Sequence, residues 1–224
     1  MAMMLRRVTL VLIVMVAPTI AVAQAGKVER IAFPAKSDFA DSVRAELDPN
    51  GYRITLDDGA VWCEIWLLRK VPFAKQPPKD PQGALYSQLA ESTFVGAISF
   101  LQNVTDYRGQ AIPKGSYTLR YELLPNDGNH LGVAPNRDFL LLIPAAADSD
   151  PNAMYKFTDL VAMSRKASGS KHPAPLNLGQ PDAAVKTPSV AKDDEGHWGF
   201  SGHLTLASGE DLPFTLVIKG TAPQ

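Results

Sequence analysis

The chain has a single cysteine, Cys63, among 224 residues. One thiol forms no internal disulfide, so the fold must rest on a buried core, which a domain of about 200 residues can supply. Charge of one sign is also scarce. The 22 Lys and Arg nearly balance the 23 Asp and Glu, for a net charge of −1. No basic stripe stands out, which excludes the usual signature of a nucleic-acid partner. Long apolar runs are missing beyond the first 22 residues, so no membrane-spanning helix is predicted after them. No glycine-rich phosphate loop follows a strand-like segment. The serine-hydrolase elbow Gly-x-Ser-x-Gly is absent. Gly199-Phe200-Ser201-Gly202 is one residue short of it and sits in a strand pattern. Ser168-Gly169-Ser170-Lys171 fits Ser-x-x-Lys only in form, because the companion motifs are missing.

What is present begins with a leader. Arg6 and Arg7 precede a nearly unbroken apolar run from Val8 to Val16, then Pro18 and the small-residue box Ala21-Val22-Ala23. This predicts a secretory signal peptide over residues 1–23, cleaved before Gln24. The apolar run is short for a span of about 20 residues. Residues 24–224 are then one exported domain, periplasmic or extracellular. Cleavage removes two basic residues and no acidic ones, moving the net charge to −3, and leaves only Met154 and Met163 of the six methionines. A Met-rich copper site is thereby excluded. Hydrophobic content of 46% argues against disorder.

Period-two alternation dominates the remainder, the mark of half-buried strands. Tyr52, Ile54 and Leu56 share one side of a strand, and Asp57-Asp58-Gly59 predicts a hairpin turn into the segment holding Cys63. There Val61, Cys63, Ile65 and Leu67 alternate with Trp62, Glu64 and Trp66, so Cys63 is expected as a small buried hydrophobe. Phe94, Ile98 and Phe100 fall together with Gly96 between them. Tyr117, Leu119, Tyr121 and Leu123 lie opposite Thr118, Arg120 and Glu122. Phe139 to Ile143 is nearly all apolar, as a central strand would be. At the C-terminus, Trp198, Phe200, Leu204, Leu206, Phe214, Leu216 and Ile218 form one apolar face of an antiparallel hairpin, with His197, Ser201 and His203 on the wetter side.

Helical spacing is rarer. Tyr155 to Arg165 predicts one helix, started near Asp150-Pro151-Asn152 and stopped at Ser168-Gly169. Ser37 to Leu47 fits a helix or a strand. A third short helix is expected around Gln82 to Glu91. The stretches Val71 to Pro81 and Ser168 to Asp194 are rich in proline and predict outer loops. The fold class that follows is mainly β: an antiparallel β-sandwich or jelly-roll-like domain with one to three short helices.

Ile112-Pro113-Lys114-Gly115-Ser116-Tyr117-Thr118-Leu119 resembles a pattern in secreted bacterial β-sandwich proteins that carry only a "domain of unknown function" label. The matching pattern is a short turn followed by Gly-x-Tyr-x-Leu, and the Thr93 to Phe100 strand resembles the family's preceding strand. The resemblance covers about 30 residues. It implies a sandwich fold and no particular activity. Arg137-Asp138-Phe139 and Asp148-Ser149-Asp150 lie outside it.

Three constellations bear on function. Trp62, Glu64 and Trp66 face away from Cys63, and two indoles flanking a carboxylate form a stacking platform for a sugar or another flat ligand if that face is open. If a helix or loop covers it, they make a second small core, for which the Tyr155 to Arg165 helix and the proline-rich loops are available. The four histidines include His130, His197 and His203 as candidate metal ligands. His197 and His203 stand about 20 Å apart on a straight strand, so each would need partners from other loops. Asp148-Ser149-Asp150-Pro151-Asn152 spaces oxygens as calcium loops do, but without their glycine and distal glutamate, so helix capping is expected. Asn103-Val104-Thr105 is a glycosylation sequon. The function these signals support is an exported, non-catalytic binding or accessory module of unknown ligand, with no cofactor. The alternatives are a carbohydrate-binding or carbohydrate-active protein, and a metal-dependent enzyme using His130, His197 or His203.

Overall fold

The computed structural model describes residues 26–74, 83–127 and 134–222. The leader and His130 lie outside the described residues. Among the described residues, twelve strands and two α-helices follow in chain order, with a 3-10 turn at Ala145–Ala147: β1 Lys27–Ala32, α1 Asp41–Glu46, β2 Asn50–Thr55, β3 Val61–Leu67, β4 Phe94–Phe100, β5 Val104–Thr105, β6 Ala111–Ile112, β7 Gly115–Leu123, β8 Asp138–Pro144, α2 Phe157–Ser168, β9 Pro175–Gly179, β10 Ser189–Lys192, β11 Trp198–Thr205 and β12 Asp211–Lys219. The protein is mainly β with few helices, as the alternation predicts. Ten strands form one antiparallel sheet in the order β1-β2-β3-β4-β7-β8-β9-β12-β11-β10, and β5 and β6 form a small ribbon of their own.

The sheet curls until its two ends meet, and it is nearly closed into a barrel. β1 and β10 lie beside each other. A Cβ placed on Gly26, just before β1, would come within 2.8 Å of Val190 on β10. The curl has a plain cause. Each strand carries large apolar side chains at alternate positions, and burying all of them on one side requires the sheet to wrap around them. Ile54, Cys63, Ile65, Ile98, Leu119, Tyr121, Leu142, Leu178, Phe200 and Ile218 are all fully buried in this inner core. The predicted turns are in place: Leu56 and Ala60 close the β2–β3 hairpin around Gly59, and Leu206 and Glu210 close the β11–β12 hairpin around Gly209. All seven apolar residues expected on the C-terminal face are buried, from Trp198 to Ile218.

Several expectations are corrected. Phe94 does not share the face of Ile98 and Phe100. A bulge between Phe94 and Gly96 sets Phe94 opposite Arg120, while Gly96 pairs with Leu119. The segment 83–92 is turn-rich rather than helical. Its Leu85 and Tyr86 N–H groups donate to the Asp138 carboxylate at 2.9 and 3.1 Å, and Tyr86 and Leu89 are fully buried. Within the predicted outer loop 168–194, residues 175–179 form the central strand β9, between β8 and β12. Pro175 is tolerated because it begins the strand. Helix α2 starts at Phe157, with Lys156 as its cap residue, so the Asp148–Asn152 stretch does not cap it. Helix α1 occupies six residues of the 37–47 window, and Leu47 beyond it is extended and bridges to Leu68. Among the described residues no helix is long and apolar enough to cross a membrane.

Candidate functional site

Side chains at outward positions of β2, β3, β4 and β7 form rows across the strands. The register aligns Arg53 with Glu64, Glu64 with Ser99, and Ser99 with Ser116. One row further along β3, Trp66 pairs with Ala97. Trp66 is buried, with only 1% of its surface exposed. Its cover is the strap that joins β1 to α1. Phe33 sits 4.9 Å from the Trp66 ring, centroid to centroid, and Phe39 sits 6.5 Å away edge-on. On the sheet side the indole edge lies against Gly51 of β2. A Cβ there would be 2.4 Å from the indole nitrogen, so only glycine fits under this tryptophan.

The strap leaves a cleft of about 380 Å³ between itself and the sheet. Lys36, Ser37, Asp38 and Phe39 form its strap side, and Glu64, Trp66, Ser99, Phe100 and Ser116 its sheet side. That volume falls within the about 300–1,000 Å³ typical of small-molecule sites. The polar groups are ordered by one another. Arg53 donates from Nε and a terminal nitrogen to Glu64 Oε1, at 2.8 and 2.6 Å. Both bonds fall on one oxygen, and Oε2 has no hydrogen-bond partner among the described residues. Ser116 Oγ donates to Asp38 Oδ2 at 3.1 Å, and the Ser99 and Ser116 hydroxyls are 3.2 Å apart. A carboxylate only accepts, so the Ser116 proton goes to Asp38 and the Ser99 proton goes to Ser116. Ser99 is left with its lone pairs free. The Trp66 indole N–H and the Ser37 hydroxyl are buried without a partner among the described residues.

Of the predicted platform, Glu64 and Trp66 come together in this cleft and Trp62 does not. No open platform of two stacked indoles forms, and the cover of Trp66 is the strap rather than α2 or a proline-rich loop. Trp62 is half-buried and reaches across the curled sheet to β12. Its N–H donates to the Ile218 carbonyl at 2.9 Å, and the Lys219 ammonium lies 4.7 Å from its ring centre. Cys63 is wholly buried on the inner face, and burial, then the Glu64 charge, pushes its thiol well above its ordinary pKa. A nucleophilic role has no support there.

The candidate metal ligands are placed apart. His203 is exposed and hydrogen-bonds Thr187. His197 is buried, contrary to its expected place on the wetter face, because the chain beyond β12 folds over it. A Cβ on Gly220 would be 2.2 Å from its ring, and its Nε2 lies 2.9 Å from the Thr221 carbonyl oxygen. Its Nδ1 faces Asp193 and Glu195 at 3.3 and 3.5 Å. Among the described residues no three His, Cys, Asp or Glu side chains are grouped to hold a metal.

Sequence reasoning missed the most polar buried cluster. Thr118, Arg120 and Glu122, expected only on the side opposite Tyr117 to Leu123, are all buried on the outer face of β7. Arg120 uses its five N–H donors. Two go to the two oxygens of Asp148 at 2.7 and 2.8 Å, and three go to the carbonyls of Ser92, Ala153 and Asp150 at 2.7 to 2.8 Å. Thr118 adds a 2.7 Å bond to Asp148, and the Arg120 guanidinium lies 4.7 Å from the Tyr155 ring centre. Beside it α2 covers Leu141 and Ile143 of β8 with Leu160, a small second core. The one available signal was Asp148 itself, in the oxygen-rich stretch expected to cap the helix. At Glu122, burial and then the Glu91 carboxyl push the pKa up to about 8, against a 3.0 Å bond from the Leu123 N–H.

Chemically, the cleft offers open acceptors, Glu64 Oε2 and the Ser99 lone pairs, beside the Phe39 and Trp66 rings. The Arg120 cluster offers no open donor, since its donors are all used. Comparison with family models, with curated proteins and with solved structures finds no match to this chain.

Proposed function

We propose that this protein is an exported, non-catalytic binding module that takes a small molecule in the cleft beside Trp66. The observation that carries this reading is the meeting of Glu64, Ser99, Ser116, Asp38 and Trp66 around one cavity of about 380 Å³. Both carboxylates there are already partnered, Glu64 by Arg53 and Asp38 by Ser116, which suits fixed recognition groups better than a mobile acid and base. Export rests on the leader pattern of residues 1–23. The sheet is read as one closed barrel rather than two facing layers. The nearness of β1 and β10 and the Trp62 bridge to β12 favour that reading.

A thermal-shift screen of small molecules tests the binding reading. Ser116→Phe fills the cleft from an outward position of β7, and the screen's stabilising compounds should lose their effect on it. Hits that ignore the filled cleft would sink the reading. For export, the intact mass of secreted protein should correspond to a chain beginning at Gln24, and a mass retaining residues 1–23 overturns the leader assignment.

A further inference from the structure

We infer that the cleft binds a small molecule through a protonated primary amine, held between Glu64 and Ser99, with Asp38 closing the strap side. This inference rests on the binding reading above and narrows it to a chemical class.

The open side-chain groups along the sheet side of the cleft are acceptors. Arg53 places both of its bonds on Glu64 Oε1, and Oε2 has no partner among the described residues, although the Glu64 side chain is only 13% exposed. Ser99 gives its proton to Ser116 and keeps its lone pairs. Asp38 accepts from Ser116 on Oδ2, and its Oδ1 has no partner among the described residues. Glu64 and Ser99 are directly paired across β3 and β4, and Ser99 and Ser116 across β4 and β7. Such cross-strand partners hold their Cβ atoms about 4.5–5.5 Å apart, so one ammonium group reaches both Glu64 Oε2 and the Ser99 oxygen.

Charge selects among ligands. The lining holds two carboxylates, Asp38 and Glu64, against one cation, Lys36. Lys36 is exposed and forms no ion pair with either carboxylate, so the open oxygens are not answered from within the described residues. An anion such as phosphate only accepts, and it would meet two carboxylates. A neutral alcohol donates one hydrogen to these oxygens. A primary ammonium donates three and adds the attraction of opposite charges, which solvent screens little at a largely buried carboxylate. A quaternary ammonium carries the charge but has no N–H, so it leaves the Glu64 and Ser99 lone pairs unbonded. The rings of Phe39 and Trp66 lie beside the acceptors, and Leu101 at the rim is 50% exposed, which gives a short apolar body behind the amine a surface to cover.

The test follows the backbone amide resonances of Ser37, Asp38, Ser99 and Ser116 in the purified chain labelled with ¹⁵N. The probes share a phenyl ring on a short carbon chain and differ in the head group: phenethylamine, its trimethylammonium analogue, phenylethanol and phenylpropionate. Phenethylamine should move those amides saturably and bind at least about tenfold more tightly than the other three, the size expected for hydrogen bonds to an ionised group. Glu64→Gln keeps an acceptor for Arg53 but removes the charge. It should weaken phenethylamine about tenfold while the amides of β11 and β12 keep their positions. If another probe matches phenethylamine at the cleft amides, or if Glu64→Gln leaves its affinity unchanged, the amine class is wrong and the cleft remains a binding site. If no probe moves these amides, the amine inference falls, and the cleft reading then stands or falls on the Ser116→Phe screen alone.

Discussion

Two polar patches occupy the outer face of the same sheet, and they are built to opposite ends. Around Arg120, each donor meets an acceptor and both charges are sealed from solvent, at 0% side-chain exposure for Arg120 and Asp148 alike. Around Glu64, one oxygen of the carboxylate is pinned and the other is open, and two buried donors nearby lack partners among the described residues. The contrast comes from what lies on top. The chain between β8 and α2 delivers Asp148 together with the carbonyls of Asp150 and Ala153 directly over Arg120. The strap between β1 and α1 delivers aromatic rings over Trp66 and leaves a gap beside them. A saturated network holds the fold, whereas the open Glu64 oxygen is free to meet the small molecule proposed for the cleft.

The largest test of that contrast is at Asp148. Asp148→Ala strands the buried Arg120 charge, and removing one partner of a buried pair typically costs about 3–5 kcal/mol. Urea unfolding should show a loss of that size, and a loss under about 1 kcal/mol would break the comparison at its stronger end.

Glu122, two residues along β7 from Arg120, sharpens it through pH. Its carboxyl titrates near 8 when folded, against an ordinary value of 4.5. Between those pH values the folded chain holds a proton that the unfolded chain has released. This contribution is therefore complete below about 4.5 and is lost as pH rises toward 8, with a slope of at most about 1.4 kcal/mol per pH unit. Unfolding of Glu122→Gln and of the parent chain from pH 5 to 8 should differ by that slope. Parallel curves would mean that Glu122 ionises normally.

A smaller effect separates the two histidines of β11. His197 is buried under the tail and bonded to Thr221, so His197→Ala should cost about 1–3 kcal/mol, while exposed His203→Ala should stay within about 0.5. Equal melting temperatures for the two variants would show that the tail does not cover His197 in solution.

The smallest expected change is at the cleft. Glu64 pairs with an Arg53 side chain that is 44% exposed. Such pairs contribute up to about 1 kcal/mol, so Glu64→Gln should fold almost as stably as the parent. A loss matching that of Asp148→Ala would mean that both patches serve stability and that the cleft is not a site.

Much of the framework was legible in the residues. The β2–β3 and β11–β12 hairpins follow from alternation interrupted by Asp-Gly and Ser-Gly turns, and the seven apolar residues from Trp198 to Ile218 are buried, with a bulge at Trp198–Gly199 setting Trp198 opposite Lys219. The Gly169 stop of α2 was also readable, with its left-handed φ of 63°. The candidate site was half legible. Glu64 and Trp66 were singled out for sharing a strand face, and they do line one cleft. Asp38, Ser99 and Ser116 were not, because nothing local links a strap residue to serines on β4 and β7. The burial of Arg120 was not legible for a related reason. Alternation assigns a residue to one side of a strand but says nothing about what covers that side.

The sequence by itself determined the long alternating strands, most of their inward-facing residues and the β2–β3 and β11–β12 reversals, since these depend on neighbours one to four positions away. Tertiary structure alone decided the outer face. It sealed Arg120 under Asp148, folded the tail over His197, put β9 in the middle of the sheet and laid the strap across Trp66. Each of these joins residues far apart in the chain, and their energies depend on burial and on hydrogen-bond partners that exist only once the sheet has curled.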